Sequence, residues 1–574
     1  MKVFTRCALT GALSIAALVA LTSPAAHSSA GPVFHKHVVA ADHPEASEAG
    51  ASLLAAGGTA ADAAAATMLA LGVVSPTGSG LGGGGFALYY RARDKSVSFV
   101  DFRETAPAAA TPALFAARAG DSASDAETRS RTGGLAVGVP GEPLGIAELV
   151  KRFGKKPLAQ VVAPAEKLAR QGFGVSAHTI RLLGIPKAWF VGDPLLATVF
   201  GPEARTSQRA KNVALADTLK RFGQQGAPLF YTGALAQQIV RTVKQRGGVL
   251  SASDLARYRV VTRAPARASR LGHEWVTAPL PSAGGYTISN SLALLERWLP
   301  TDAHWKSDER YHALIESWKG AYLDRQGYFG DPDHVKVPLE ALSAEARVEA
   351  RAARYHPALA LAPATYALPL EAQPSPAVQP DNRGTSHLCV VDAEGNIASV
   401  TTTVNLPFGA GIGVGGFWLN DEMDDFAREV GEKNAFGLVG GAPNLPGPGK
   451  RPISSMSPTL VFVGDDPVLC IGGSGGSRIP TAVEQVALYA LKDGLHPAEA
   501  VVAPRVHHQA DPERVDARDL PEAAQKALSA RGHTVAVAQF SAHVQAIKLV
   551  KKPDGSRALE AASDPQKGGA PRGE

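Results

Sequence analysis

The chain has 574 residues, 45% of them apolar, which is material for several domains or for one large two-part fold. Its 58 basic residues against 53 acidic ones leave a surplus of only +5, scattered rather than massed, so a nucleic-acid-binding surface is excluded as a partner class. Three cysteines are too few for a disulfide framework; Cys389 and Cys470 sit in apolar runs and read as buried thiols.

In chain order, residues 1–30 read as an export signal. Lys2 and Arg6 precede an apolar segment, Ala8 to Leu21, that is short for a bilayer span, and small residues offer a cleavage site between Ala25 and Ala30. The rival reading is an uncleaved anchor, but no later apolar run reaches the roughly 18 to 20 residues of a stable membrane span. Glu45 to Ala56 and Ala60 to Leu71 are two small-residue helices, the second opened by a Thr59/Asp62 capping pattern. Phe86 to Tyr90 and Val97 to Phe102 alternate as strands, Pro143 to Val240 is mostly helical, and Val249 to Thr262 and Glu274 to Pro281 bring strands or turns. Tyr286 to Leu299 and Asp308 to Tyr328 are helical. The Ala- and Pro-rich stretch from Ala352 to Asp381 reads as an extended, mobile linker. Beyond it the chain is β-rich, with strands at His387 to Val391, Ile397 to Val404, Gly413 to Leu419, Thr459 to Val463 and Val468 to Gly472. Helices Pro480 to Lys492 and Pro497 to Ala503 follow.

Thr385 opens that β-rich part, directly after Gly384. If the bond between them is cut, one residue carries both a hydroxyl and a free α-amine, and an amine with a pKa of about 7.7 to 8.0 is a base near neutrality. A bare Gly-Thr before a strand is more often just a turn. The surroundings decide. TSHLCVVD (from Thr385), VTTTVNLPFG (from Val400), NDEMDDF (from Asn420), GPGKRPISSMSPT (from Gly447) and GGSGGSRIP (from Gly472) occur in this order, after DFRETAP (from Asp101), GVPGEPLGI (from Gly138) and GDPDHVKVP (from Gly330).

This ordered set resembles the γ-glutamyltransferase family of N-terminal nucleophile hydrolases over roughly residues 35 to 566. The resemblance implies an α+β fold, the αββα four-layer sandwich, and a precursor that cuts itself at Gly384-Thr385 into a large subunit (31–384) and a small one (385–574), paired as a heterodimer. Thr385 is then the nucleophile and Thr403 the threonine that orients it, though a plain cross-strand Thr pair is the competing reading. Gly475 and Gly476 match the family's oxyanion pair, in a Gly-rich turn before a helix that Pro480 can open. Arg103, with Ser454 and Ser455, matches a clamp for an α-carboxylate. Asn405, Glu422 and Asp425 match acceptors for an α-ammonium.

There are departures from the family pattern. Leu388 and Cys389 replace Tyr-Ser, Phe436 replaces a lid tyrosine, and Gln566 replaces an arginine near the end. His507-His508 lacks the spacing of a metal set and reads as structural, Gly80 to Gly85 is not a phosphate loop, and no metal or cofactor is expected. The resemblance implies transfer of a γ-glutamyl group from glutathione and related compounds to water or to amino acids and peptides. Its alternatives are a cephalosporin acylase, a poly-γ-glutamate hydrolase, or a binding protein without turnover.

Overall fold

A largely apolar run, Leu388-Cys389-Val390-Val391 after Ser386 and His387, makes Ser386–Val391 a strand that is buried on both faces. Leu388 and Val390 face one apolar cluster, whereas Cys389 and Val391 face another. The strand pairs antiparallel with Val38–Ala41 on one side and Ile397–Thr403 on the other. Adding Gly84–Arg91, Ser96–Asp101, Val261–Arg263 and, at the far edge, Arg572–Gly573 completes a sheet of seven strands. In the computed structural model, which describes residues 31–116, 128–185, 190–370, 384–430, 440–538 and 542–574, this sheet stacks on a second one. The second also has seven strands: Val33–Phe34, Arg557–Ser563, His543–Lys551, Asp466–Ser474, Thr459–Val463, His273–Thr277 and Ala266–Arg270, in spatial order.

Helices cover both outer faces, giving the four-layer αββα sandwich expected from the sequence. Ala60–Val74 lies against the first sheet with every residue buried. Its alanines permit that closeness, and a side chain at Gly72 would come within 3.0 Å of the Gly80 Cα. The expected capping box is formed, and the Asp62 carboxylate also accepts the Lys155 and Lys156 backbone N–H groups. On the other side, Gly284–Trp298, Glu309–Tyr328 and Ile479–Leu491 pack together over the second sheet.

Three expectations need correction. Val249 to Thr262 is partly helical, because Ser251 and Asp254 form a capping box that starts Ala252–Arg257; the strand is only Val261–Arg263. Gly413 to Leu419 is a small hairpin of two-residue strands, broken by Gly415 and Gly416 at φ 58° and 88°. The proposed mobile linker is built in as far as Leu370: Tyr355 stacks on Trp298 with ring centroids 4.3 Å apart, and the buried Tyr366 presents its carbonyl to Arg351. Its alternation of Pro and Ala hid aromatic anchors at long spacing. The rest of that stretch, the export segment and Phe436 lie outside the described residues. Among the described residues no helix is long and apolar enough to cross a membrane.

Glu484 joins the covering helices. It is fully buried, accepts hydrogen bonds from Ser291 Oγ at 2.5 Å and Trp318 Nε1 at 2.8 Å, and burial pushes its carboxyl up to about 8. The folded state therefore keeps a proton that the unfolded chain releases near its ordinary 4.5, so this contribution to stability is complete below that pH and is lost as pH rises toward 8. Melting temperature measured against pH should accordingly fall less steeply over this window in Glu484→Gln than in the unaltered protein.

Candidate active site

The register that sets Ser386 opposite Thr402 sets Thr385 opposite Thr403, and their hydroxyl oxygens are 2.9 Å apart. Thr403 Oγ1 also accepts the Asn405 backbone N–H at 2.8 Å, which fixes its orientation toward Thr385. This contact is the cross-strand Thr pair, and its geometry is also the one an orienting threonine would need. In the uncut chain Thr385 has φ 78°, a left-handed conformation that a β-branched residue adopts only under strain. Gly384 has a steric reason to be glycine: a Cβ there would lie 1.6 Å from the Asn405 carbonyl oxygen.

Sequence reasoning missed what holds Thr385 from behind. The buried Lys567 ammonium donates to the Thr385 carbonyl and to Ser474 Oγ at 3.1 Å, and pairs with Asp42 at 2.5 Å. Burial raises the Asp42 pKa, and Lys567 offsets that rise. The available signal was a lysine beside the altered position 566. Gln566 itself is exposed and its carbonyl accepts from Arg181, while the preceding Asp564 is held by Arg505 and Arg518.

Arg103 is buried at the pocket wall. Its Nη2 lies 2.6 Å from Asp425 Oδ2, its Nη1 is bonded to Glu422, and Nε and Nη2 also donate to the Pro452 and Ile453 carbonyls. Burial alone would lower its pKa, but Glu422, Asp425 and Glu104 together hold the guanidinium above its ordinary value. Glu104, 4.0 Å from Nη1, is pushed by burial up to about 8. The residues expected to hold a carboxylate and those expected to hold an ammonium are therefore paired with each other. Asn405 turns at φ 72° and donates its Nδ2 to the Asp421 carbonyl at 3.1 Å. Ser454 is fixed by its N–H on the Pro281 carbonyl, and its hydroxyl accepts the Met456 N–H at 3.1 Å, leaving that hydroxyl's proton free to donate.

Gly475 and Gly476 have φ 134° and 58°, and lead through Gly476–Arg478 into the helix Ile479–Leu491, with Pro480 in its first turn. A side chain at Gly475 would strike Ala542, 2.6 Å away. Ser477, just after, is anchored by Tyr322 on its carbonyl and by Gln509 on its hydroxyl. His507 bridges Gln509 and Thr481, and burial pulls its pKa down to about 3, so its imidazole is neutral.

Of the residues singled out in the sequence, Arg103, Thr385, Thr403, Asn405, Glu422, Asp425, Ser454, Ser455 and Gly476 line a single pocket, with Met456 and Ile479. Gly384 and Gly475 adjoin it in the chain. The pocket leaves about 20 Å³, the room of about one water molecule, and the Arg103, Glu422 and Asp425 ion pairs lie in its lining. Elsewhere His312, Glu316 and His533 place ligand-type atoms within 4.8 Å of one another. Lys319 already neutralises Glu316 at 2.6 Å, and the two imidazoles hydrogen-bond each other at 2.7 Å, so a dication there would face an ammonium.

The gamma-glutamyltranspeptidase family model matches residues 46–573. The chain is 36% identical to a glutathione hydrolase proenzyme of Escherichia coli strain K12, covering 97% of this chain and 96% of that one. It is 38% identical to the glutathione hydrolase proenzyme of Pseudomonas aeruginosa, over 92% and 93% of the two chains. Among solved structures, a cephalosporin acylase from Bacillus halodurans shares the fold with a TM-score of 0.79 at 24% identity, covering 96% of this chain and 98% of that one. A family match over nearly the whole chain, converging on the pocket around Thr385, makes this chain a member of the gamma-glutamyltranspeptidase family.

Proposed function

We propose that the chain is a self-processing γ-glutamyltransferase and glutathione hydrolase. The observation that carries this reading is that one pocket is lined both by the Thr385-Thr403 hydroxyl pair and by the ion cluster of Arg103, Glu422 and Asp425. In maturation, Thr385 Oγ attacks the Gly384 carbonyl carbon, the C–N bond breaks, and an ester forms. Water opens the ester, leaving a Gly384 carboxylate and a Thr385 α-amine. Strain at Thr385 and the absence of a side chain at Gly384 favour that attack. The products are a large subunit, 31–384, and a small subunit, 385–574, that stay together as a heterodimer.

In turnover the new amine takes the Oγ proton as the oxygen attacks a γ-glutamyl carbonyl. The oxyanion is received by N–H groups of the Gly475-Gly476 turn, the leaving amine collects the proton, and a γ-glutamyl ester remains on Thr385. Water, or the amine of an amino acid or peptide, then completes hydrolysis or transfer. Selection for a free α-amino acid end rests on exchange of partners. The substrate α-carboxylate takes Arg103, with help from Ser454 and Ser455. Its α-ammonium takes the released Glu422 and Asp425 together with Asn405. A zwitterion replaces an internal ion pair, so the buried charges are never left alone. The basic, apolar N-terminal segment supports export, to the periplasm or the medium.

Three outcomes test this reading. Thr385→Ala should remain a single chain and be inactive, whereas the unaltered protein should give two bands with the smaller beginning TSHLC; an active, uncut protein would sink the mechanism. Thr403→Val, which keeps the shape but removes the hydroxyl, should slow both cleavage and turnover by roughly 10- to 100-fold, the worth of a buried hydrogen bond to a developing charge. With a γ-glutamyl anilide, Asp425→Asn should raise KM by about tenfold or more with a smaller effect on kcat. Preference for a β-lactam side-chain amide over that anilide would move the assignment to an acylase.

A further inference from the structure

Behind Arg103 lies a second cavity, of about 350 Å³, within the size range of small-molecule sites. Tyr258 lines the second cavity and donates its hydroxyl to the Arg103 carbonyl at 2.9 Å. Arg451, also in its lining, directly precedes the Pro452 and Ile453 carbonyls that receive the Arg103 side chain. The two linings share no residue, and Thr385 belongs to the first alone.

Its chemistry is that of an organic anion site. Its lining includes the apolar Val139 and Val261, the aromatic Tyr258, and three arginines, Arg257, Arg259 and Arg451. Asp254 is the carboxylate of the lining, and it is committed to Ser251, to the Ala108 N–H at 2.9 Å and, more loosely, to Arg257 at 3.4 Å. Arg451 is answered by Asp101 at 3.4 Å and by Asp333 at 3.9 Å. Arg259 is exposed and donates only to the Ala256 and Tyr258 carbonyls, with no carboxylate partner among the described residues. Among the described residues Arg259 thus brings to the lining a positive charge that no carboxylate answers, alongside the apolar Val139, Val261 and the ring of Tyr258. We propose that this cavity is a separate binding site for a small organic carboxylate of about amino-acid to dipeptide size, its carboxylate held at Arg257 and Arg259 and its carbon body against Val139, Val261 and Tyr258.

Glutarate, its neutral diamide and inorganic phosphate are the probes, titrated by calorimetry or ligand-observed NMR into the unaltered protein and into the double variant Arg257→Gln/Arg259→Gln. Both arginines are exposed, so the variant should fold, as an unchanged melting temperature would verify. Saturable glutarate binding that weakens at least about tenfold in the variant, with little binding of the diamide or of phosphate, is the expected result. Absence of saturable glutarate binding, equal affinity in the double variant, or phosphate binding as tightly as glutarate would each overturn the proposal.

Discussion

The arrangement depends on one central strand pair. Ser386–Val391 and Ile397–Thr403 lie in the middle of a sheet, buried on both faces, and their register is pinned because a slip of one residue would exchange the Leu388, Val390 face with the Cys389, Val391 face. That register brings the Thr385 and Thr403 hydroxyls to 2.9 Å at the strand ends. The chain just past Thr403 turns sharply at Asn405, whose carbonyl presses on Gly384 and whose N–H orients Thr403. The packing of the core and the placement of the Thr385 hydroxyl are therefore the same constraint.

Charge is handled in a parallel way. Arg103, Glu422, Asp425 and Glu104 are all withdrawn from water, at a cost that would be large for any of them alone. Their mutual pairing makes the buried pocket tolerable and leaves it nearly full. On the function proposed above, a ligand with one positive and one negative end would enter by taking over both halves of the pairing, and selectivity would arise from what an unsuitable ligand leaves unpaired.

Much of this was legible in the sequence because it is local or motif-borne. The capping box at Thr59, the alternating strands and the Gly-Gly turn before Pro480 each rest on residues near in the chain. The nine pocket residues were gathered by matching an ordered set of motifs, which stands in for long-range contact. What escaped depends on contacts across hundreds of residues. Lys567 meets Asp42 and Thr385 only because the sheets assemble, and no local pattern marks it. Tyr355 and Tyr366 lie in a stretch whose Pro-Ala composition suggests freedom, yet Trp298 and Arg351 give them partners. The short strand Val38–Ala41 and the C-terminal hairpin His543–Lys551 with Arg557–Ser563 were likewise passed over; Asp554-Gly555 at the turn was the signal for the latter.

Strand order has a further consequence. In the first sheet the residues before Gly384 supply both flanks, Val38–Ala41 and Gly84–Arg91, around a centre supplied by residues after it; in the second, His273–Thr277 and Val33–Phe34 flank strands from the later part. Each part alone would be a sheet with its middle or its margins missing, exposing long unpaired edges. Each part therefore completes its sheets only on the edges that the other supplies. Fusion or exchange of the parts between relatives would demand matching along every shared edge, which ties the evolution of the two segments together.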